Sequence, residues 1–125
     1  MAIDSPLQHW SDLATAADAG QLFLEPTAAR ECNQACEEYL SILRVQKQKA
    51  VALGDVRGMG EFPSGIALAK KFSLKAVGGE NNLADVLQSH IDVVMAMQAV
   101  FRKFFDATAD VDDSNAAVIG QDGPK

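Results

Sequence analysis

Tryptophan and tyrosine occur once each, cysteine twice and proline four times in this chain of 125 residues. Two cysteines do not make a disulfide scaffold. Cys32 and Cys36, four apart in one predicted helix, share a face but are poorly aimed at each other for a bridge, a pattern that suits a reducing compartment. No run of about 18 apolar residues is present, so a membrane span is not expected. The N-terminus lacks the basic, apolar, small-residue order of a secretory signal. Basic clusters are scarce as well: the net charge is −6, and the largest group is Lys70, Lys71 and Lys75, which disfavours nucleic acid as a ligand. The period of two that marks a strand is also absent.

Catalytic patterns are equally thin. Ser64, in Pro63-Ser64-Gly65, lacks the strand-turn-helix setting of a nucleophile elbow. Gly58-Met59-Gly60 follows no strand and is not completed into a phosphate loop. The carboxylates Glu37, Glu38, Asp85 and Asp92 fall on predicted solvent faces, without the Glu-x-x-His spacing of a di-metal bundle. The sequence therefore predicts no enzyme, no cofactor and no small-molecule substrate.

What the chain does have is helical period. With 48% hydrophobic and 22% charged residues it has the composition of one ordinary globular domain. Leu83, Leu87, His90, Val94, Met97, Phe101, Phe104, Thr108 and Val111 alternate steps of four and three, a seam predicting a long helix over about 82–110 capped by Asn81-Asn82. A second seam, Ala29, Cys32, Cys36, Tyr39, Leu43, Gln46, Ala50 and Leu53, predicts a long helix over about 26–53 stopped by Gly54. Between them lie a glycine-rich turn, 54–63, and a short helix over about 64–77, with Ser64 as its cap. Ser5-Pro6 opens another short helix, about 5–19, ending at Gly20 and carrying Trp10 as an anchor. Residues 111–125 read as an acidic, mostly disordered tail.

The expected fold is therefore all-α: an antiparallel helical hairpin with two shorter helices, four-helix-bundle-like within one chain or as a dimer. A row flanking the seam of the last helix makes its apolar face too wide for one neighbour. Val86, Val93, Val100, Phe104 and Phe105, with Tyr39 and Leu40 on the opposing helix, are the expected partner-binding surface. Its partner would be a helical protein, either a second copy or a different hairpin protein. Cys32, Cys36 and His90 supply an alternative, a small metal or redox module, because three soft ligands on facing helices are geometrically conceivable. A regulatory adaptor recognising an amphipathic helix is a further alternative. A histidine in a seam would also loosen packing on charging below about pH 6.5, and Gln46 stands where it would face His90.

One stretch carries a family likeness. Phe62-Pro63-Ser64-Gly65-Ile66-Ala67-Leu68-Ala69-Lys70-Lys71-Phe72, running to Lys75-Ala76-Val77-Gly78-Gly79, followed by Leu83, Leu87, His90-Ile91-Asp92-Val93-Val94 and Met97, resembles small actinobacterial proteins associated with type VII (ESX) secretion. More distantly it is similar to the Trp-x-Gly helical-hairpin substrates of that pathway. The resemblance spans about residues 54–110. It implies a hairpin that pairs with a like protein, folds in the cytoplasm before export, and leaves without a cleaved signal. Two departures stand beside it. The turn carries Gly58-Met59-Gly60 in place of Trp-x-Gly, and the family's tyrosine with an acid four residues later, just past the last helix, is replaced by Phe105 and Asp110, five apart.

Overall fold

A computed structural model describes residues 4–105. The expected continuation of the last helix to 110, with Thr108 and Val111 in its seam, and the tail 111–125 lie outside the described residues. Within them the chain is all-helical: α1 (Asp4–Asp18), α2 (Pro26–Ala52), α3 (Pro63–Ala76) and α4 (Leu83–Phe101), followed by a 3-10 turn (Arg102–Phe104).

Local chemistry sets most of the boundaries. Gly20, at φ +76°, ends α1: its N–H donates to the Ala17 carbonyl while that of Gln21 reaches back to Ala16, the paired bonds of a Schellman stop. Glu25 caps α2, its carboxylate accepting the Thr27 and Ala28 amides at 3.0 and 2.9 Å ahead of the first helical residue, Pro26. Those two backbone bonds hold its pKa below the ordinary carboxylate range. At α4 the cap is Asn82, completely buried, accepting from the Asp85 amide and donating to the Gly79 carbonyl and the Asp85 carboxylate. The expected cap of α3 differs. Phe62 occupies the cap position with no side-chain bond, and Ser64 lies inside the first turn after Pro63. Proline at the first position, which removes an orphan amide by itself, takes over the start signal.

The two long helices form the predicted antiparallel hairpin. Gln98 donates to Glu37 at 2.8 Å and Lys47 donates to Gln88 at 2.6 Å, so ten residues forward along α2 correspond to ten backward along α4. Between these polar crossings lies the core: Cys36, Leu40 and Leu43 against Ile91 and Val94, with Leu87, Met97 and Phe101 at its border. Side chains of this size contribute about 1.5–3 kcal/mol each on full burial.

The seam itself is rotated from the expected one. On α2 the inward row runs Ala29, Asn33, Cys36, Leu40, Leu43, Lys47 and Ala50; Cys32, Tyr39, Gln46 and Leu53 face solvent. On α4 it runs Ala84, Leu87, Ile91, Val94, Gln98 and Phe101, and Leu83 and His90 are exposed. Each pair of rows shares every other member, and both satisfy three-four spacing, so the choice falls to what the polar members can do inside. Lys47 and Gln98 are tolerated because each finds its partner across the interface. His90 and Gln46 accordingly do not meet. An exposed imidazole is hydrated in both protonation states, which leaves the acid-loosening mechanism no packed contact to act on.

α4 also stops sooner than predicted. After Phe101 the chain tightens into the 3-10 turn and Phe105 becomes extended. The reason is aromatic capture: Phe104 meets Phe23 of the α1–α2 connector edge-on at 6.2 Å, and the Arg30 guanidinium lies 5.3 Å above the Phe105 ring. Turning back onto the connector buries both rings, whereas a straight continuation would carry them past it.

Candidate functional site

α1 lies along the C-terminal half of α4. Trp10 packs edge-on to Phe101 with centroids 5.8 Å apart, Leu7 and Ser11 stand beside Ala96, and Lys103 pairs with Asp18 at 2.9 Å. Trp10 thus anchors as expected. The consequence for the predicted partner surface is direct. Val100 is 2% exposed and Leu40 1%, so both belong to the interior. Val86 and Val93 are half-buried, as are Phe104 and Phe105, which the connector and Arg30 occupy. Of the seven residues, Tyr39 alone stands open. Most of the row that looked uncovered from the sequence is thus buried or half-buried within the chain, with α1 and the connector packed along the C-terminal half of α4.

One opening is at the far end of the hairpin. α3 buries Ala76 and half-buries Gly65, Ala69 and Ser73, a narrow stripe of small residues, while Ile66, Leu68, Phe72 and Leu74 remain exposed. Beside it, Leu53 and Val56 from the end of α2, Phe72, Lys75 and Ala76 from α3, and Leu83 from the start of α4 line a hollow of about 320 Å³. Leu53 is 60% exposed and Phe72 47%, so these apolar side chains meet there without closing over one another. The start of α3 is packed closely on the turn before it. A Cβ on Gly65 would run into the Met59 carbonyl oxygen, so the glycine turn and the first turn of α3 touch main chain to main chain.

A second opening runs along the hairpin itself. Arg44, Lys47, Gln48 and Val51 of α2 and Gln88, Ile91 and Met95 of α4 line a groove of about 560 Å³, to which α1 contributes nothing. Its floor is apolar. Its rim carries Arg44, Lys47, Gln48 and Gln88, with Lys47 donating to Gln88 and Gln88 in turn to Asp92.

The cysteines and His90 are not brought together. Cys36 is buried, Cys32 is exposed and so is His90. Burial pushes the Cys36 thiol up, with Cys32 and Glu37 adding in the same sense, so the thiolate that a metal or an electrophile requires is disfavoured. Among the described residues, no three His, Cys, Asp or Glu side chains are grouped so as to hold a metal ion, and no helix is long and apolar enough to cross a membrane. No protein-family model matches the chain, and comparison with curated proteins and with solved structures gives no match.

Neither opening was singled out by the sequence. The signal for the first was present in α3, whose apolar residues outnumber what one narrow stripe can bury. The signal for the second was the row Arg44, Lys47, Val51, hidden because its lysine also belongs to the inward seam.

Proposed function

We propose that this chain is a non-catalytic interaction protein of the type VII (ESX) secretion pathway. In that reading it is a secreted substrate or an export partner that packs against another helical-hairpin protein. The observation that carries the interaction is the unclosed apolar surface at the α3 end, where Leu53, Phe72 and Leu83 stay exposed around a hollow and Ile66 is exposed on α3. An antiparallel pair of long helices with such a surface is what a helix-packing partner needs, and the resemblance of residues 54–110 supports this choice of pathway. The proposed route is folding in the cytoplasm, pairing, and exit without signal cleavage.

The test has two arms. The chain is co-expressed with a helical-hairpin protein encoded beside it, and the complex is sized by light scattering. A tagged copy is then followed into culture filtrate with and without the secretion ATPase. The expected result is a defined complex, weakened at least about tenfold by Phe72→Asp as its apolar contact is lost, and export that stops without the ATPase. Complex formation without export would leave an adaptor that stays in the cell; the absence of both would end the proposal.

A further inference from the structure

α2 turns an apolar ridge away from α4. Tyr39, Ile42 and Val45 are 49, 57 and 47% exposed, and steps of three along a helix make one continuous surface row. Tyr39, the one open member of the expected partner surface, thus has apolar neighbours after all. Glu37 and Lys47 reach across to α4, and Arg44 borders the groove. The charges left on the ridge side are Glu31 and Glu38 before it and Lys49 after it. All three are exposed, and among the described residues none has an ion-pair partner. Glu38 and Lys49 stand about 16 Å apart along the helix, too far to pair within one chain.

Reversed, this pattern is its own complement. A second α2 laid antiparallel across the ridge, with a two-fold axis at Ile42, sets Ile42 on its copy and Tyr39 against the second copy's Val45. Lys49 then falls between Glu31 and Glu38 of the other copy, offset along the helix by about 6 and about 4.5 Å, within reach of side chains this long. The same contacts occur twice, once on each side of the axis. Parallel pairing would instead set acid on acid and lysine on lysine.

We infer that the outer face of α2 is a self-association surface, at which a second copy of the chain pairs antiparallel through Tyr39, Ile42 and Val45 and is set in register by Glu31, Glu38 and Lys49. Three apolar side chains a copy make a small contact, so the dimer belongs with transient complexes and its share grows with concentration. The ridge is separate from the α3 surface, and either assignment can fail without the other.

Sedimentation equilibrium of the full chain tests it. The chain should show a monomer–dimer equilibrium that Ile42→Asp weakens at least about tenfold and Phe72→Asp leaves alone. Lys49→Glu should weaken it about fivefold, and adding Glu31→Lys and Glu38→Lys should restore it, because the charges are then complementary again with their signs exchanged. Oxidation reads the direction of pairing. Cys32 lies about 30 Å from its copy across the axis, so the native chain should give no disulfide-linked dimer, whereas Ile42→Cys combined with Cys32→Ser should give one. A monomer at every concentration up to about 1 mM, a triple variant no stronger than Lys49→Glu, or a dimer linked through Cys32 would each overturn the inference. So would a dimer lost with Phe72→Asp and indifferent to Ile42→Asp, which would place the contact on α3.

Discussion

The α2–α4 hairpin and α3 are built from similar proportions of apolar residues, yet one is interlocked and the other rests on its neighbour. In the hairpin, large residues face large residues: Leu40, Leu43, Ile91 and Val94 fill a common interior, closed at either side by a polar bond across the seam. α3 turns alanine, serine and glycine inward and leaves its larger aliphatics and Phe72 outside. Burying small residues brings backbones close but removes little apolar area from water, and that area sets the hydrophobic stabilisation. Hydrophobic content alone therefore says little about how firmly an element is held; the size of what it buries decides.

The contrast is sharpest under truncation of one large side chain on each side. Leu40→Ala should cost about 2–5 kcal/mol of unfolding free energy in a denaturant titration, the usual range for a buried leucine. Phe72→Ala should cost less than about 1.5 kcal/mol, since a ring 47% exposed at the lip of the hollow has only part of its apolar contact to lose. Equal losses would mean that α3 is as integral as the hairpin. Gly65→Ala should be intermediate and local. The Met59 carbonyl must give way to a methyl group, at about 1–3 kcal/mol for overpacking, and hydrogen exchange should accelerate over residues 63–76 while the α2 and α4 amides keep their protection. Uniform acceleration would break the distinction.

The smallest effect concerns pH. Glu25 has a depressed pKa through its bonds to the Thr27 and Ala28 amides, so its capping contribution is present above the unfolded-state value and is lost as pH falls through the folded one. Stability should therefore drop on acidification below the normal glutamate range, and Glu25→Gln should flatten that part of the profile. An unchanged slope would show that the cap does not couple to global unfolding.

Helix number, order and antiparallel pairing were legible because caps and stops are written locally: Pro26 and Gly20 act through their own backbone, and Asn82 through side-chain bonds to groups within three residues of it. The rotation of each helix was not. Two rows a single residue apart both obey three-four spacing, and Cys32-Tyr39 looks more apolar than Asn33-Lys47. The true row is selected by groups far away in the chain, since Lys47 is accepted inside only because Gln88 meets its ammonium. The same nonlocality puts Val100 and Leu40, expected on the surface, in the interior, which no periodicity within α4 or α2 alone encodes.

The placement of α3 also bears on how fast the chain finds its structure. Residues 53–82 separate the two halves of the hairpin, yet Leu53 and Leu83, at its two ends, line one hollow. The long helices thus meet at the cost of closing a detour of about thirty residues, and replacing it with a five-residue connector would lower the closure entropy by roughly 1.5 kcal/mol. Since α3 supplies little burial in return, a shortened hairpin that keeps an asparagine in the place of Asn82 to cap α4 should fold faster and lose little stability, with the excised turn and helix behaving as a detachable cassette.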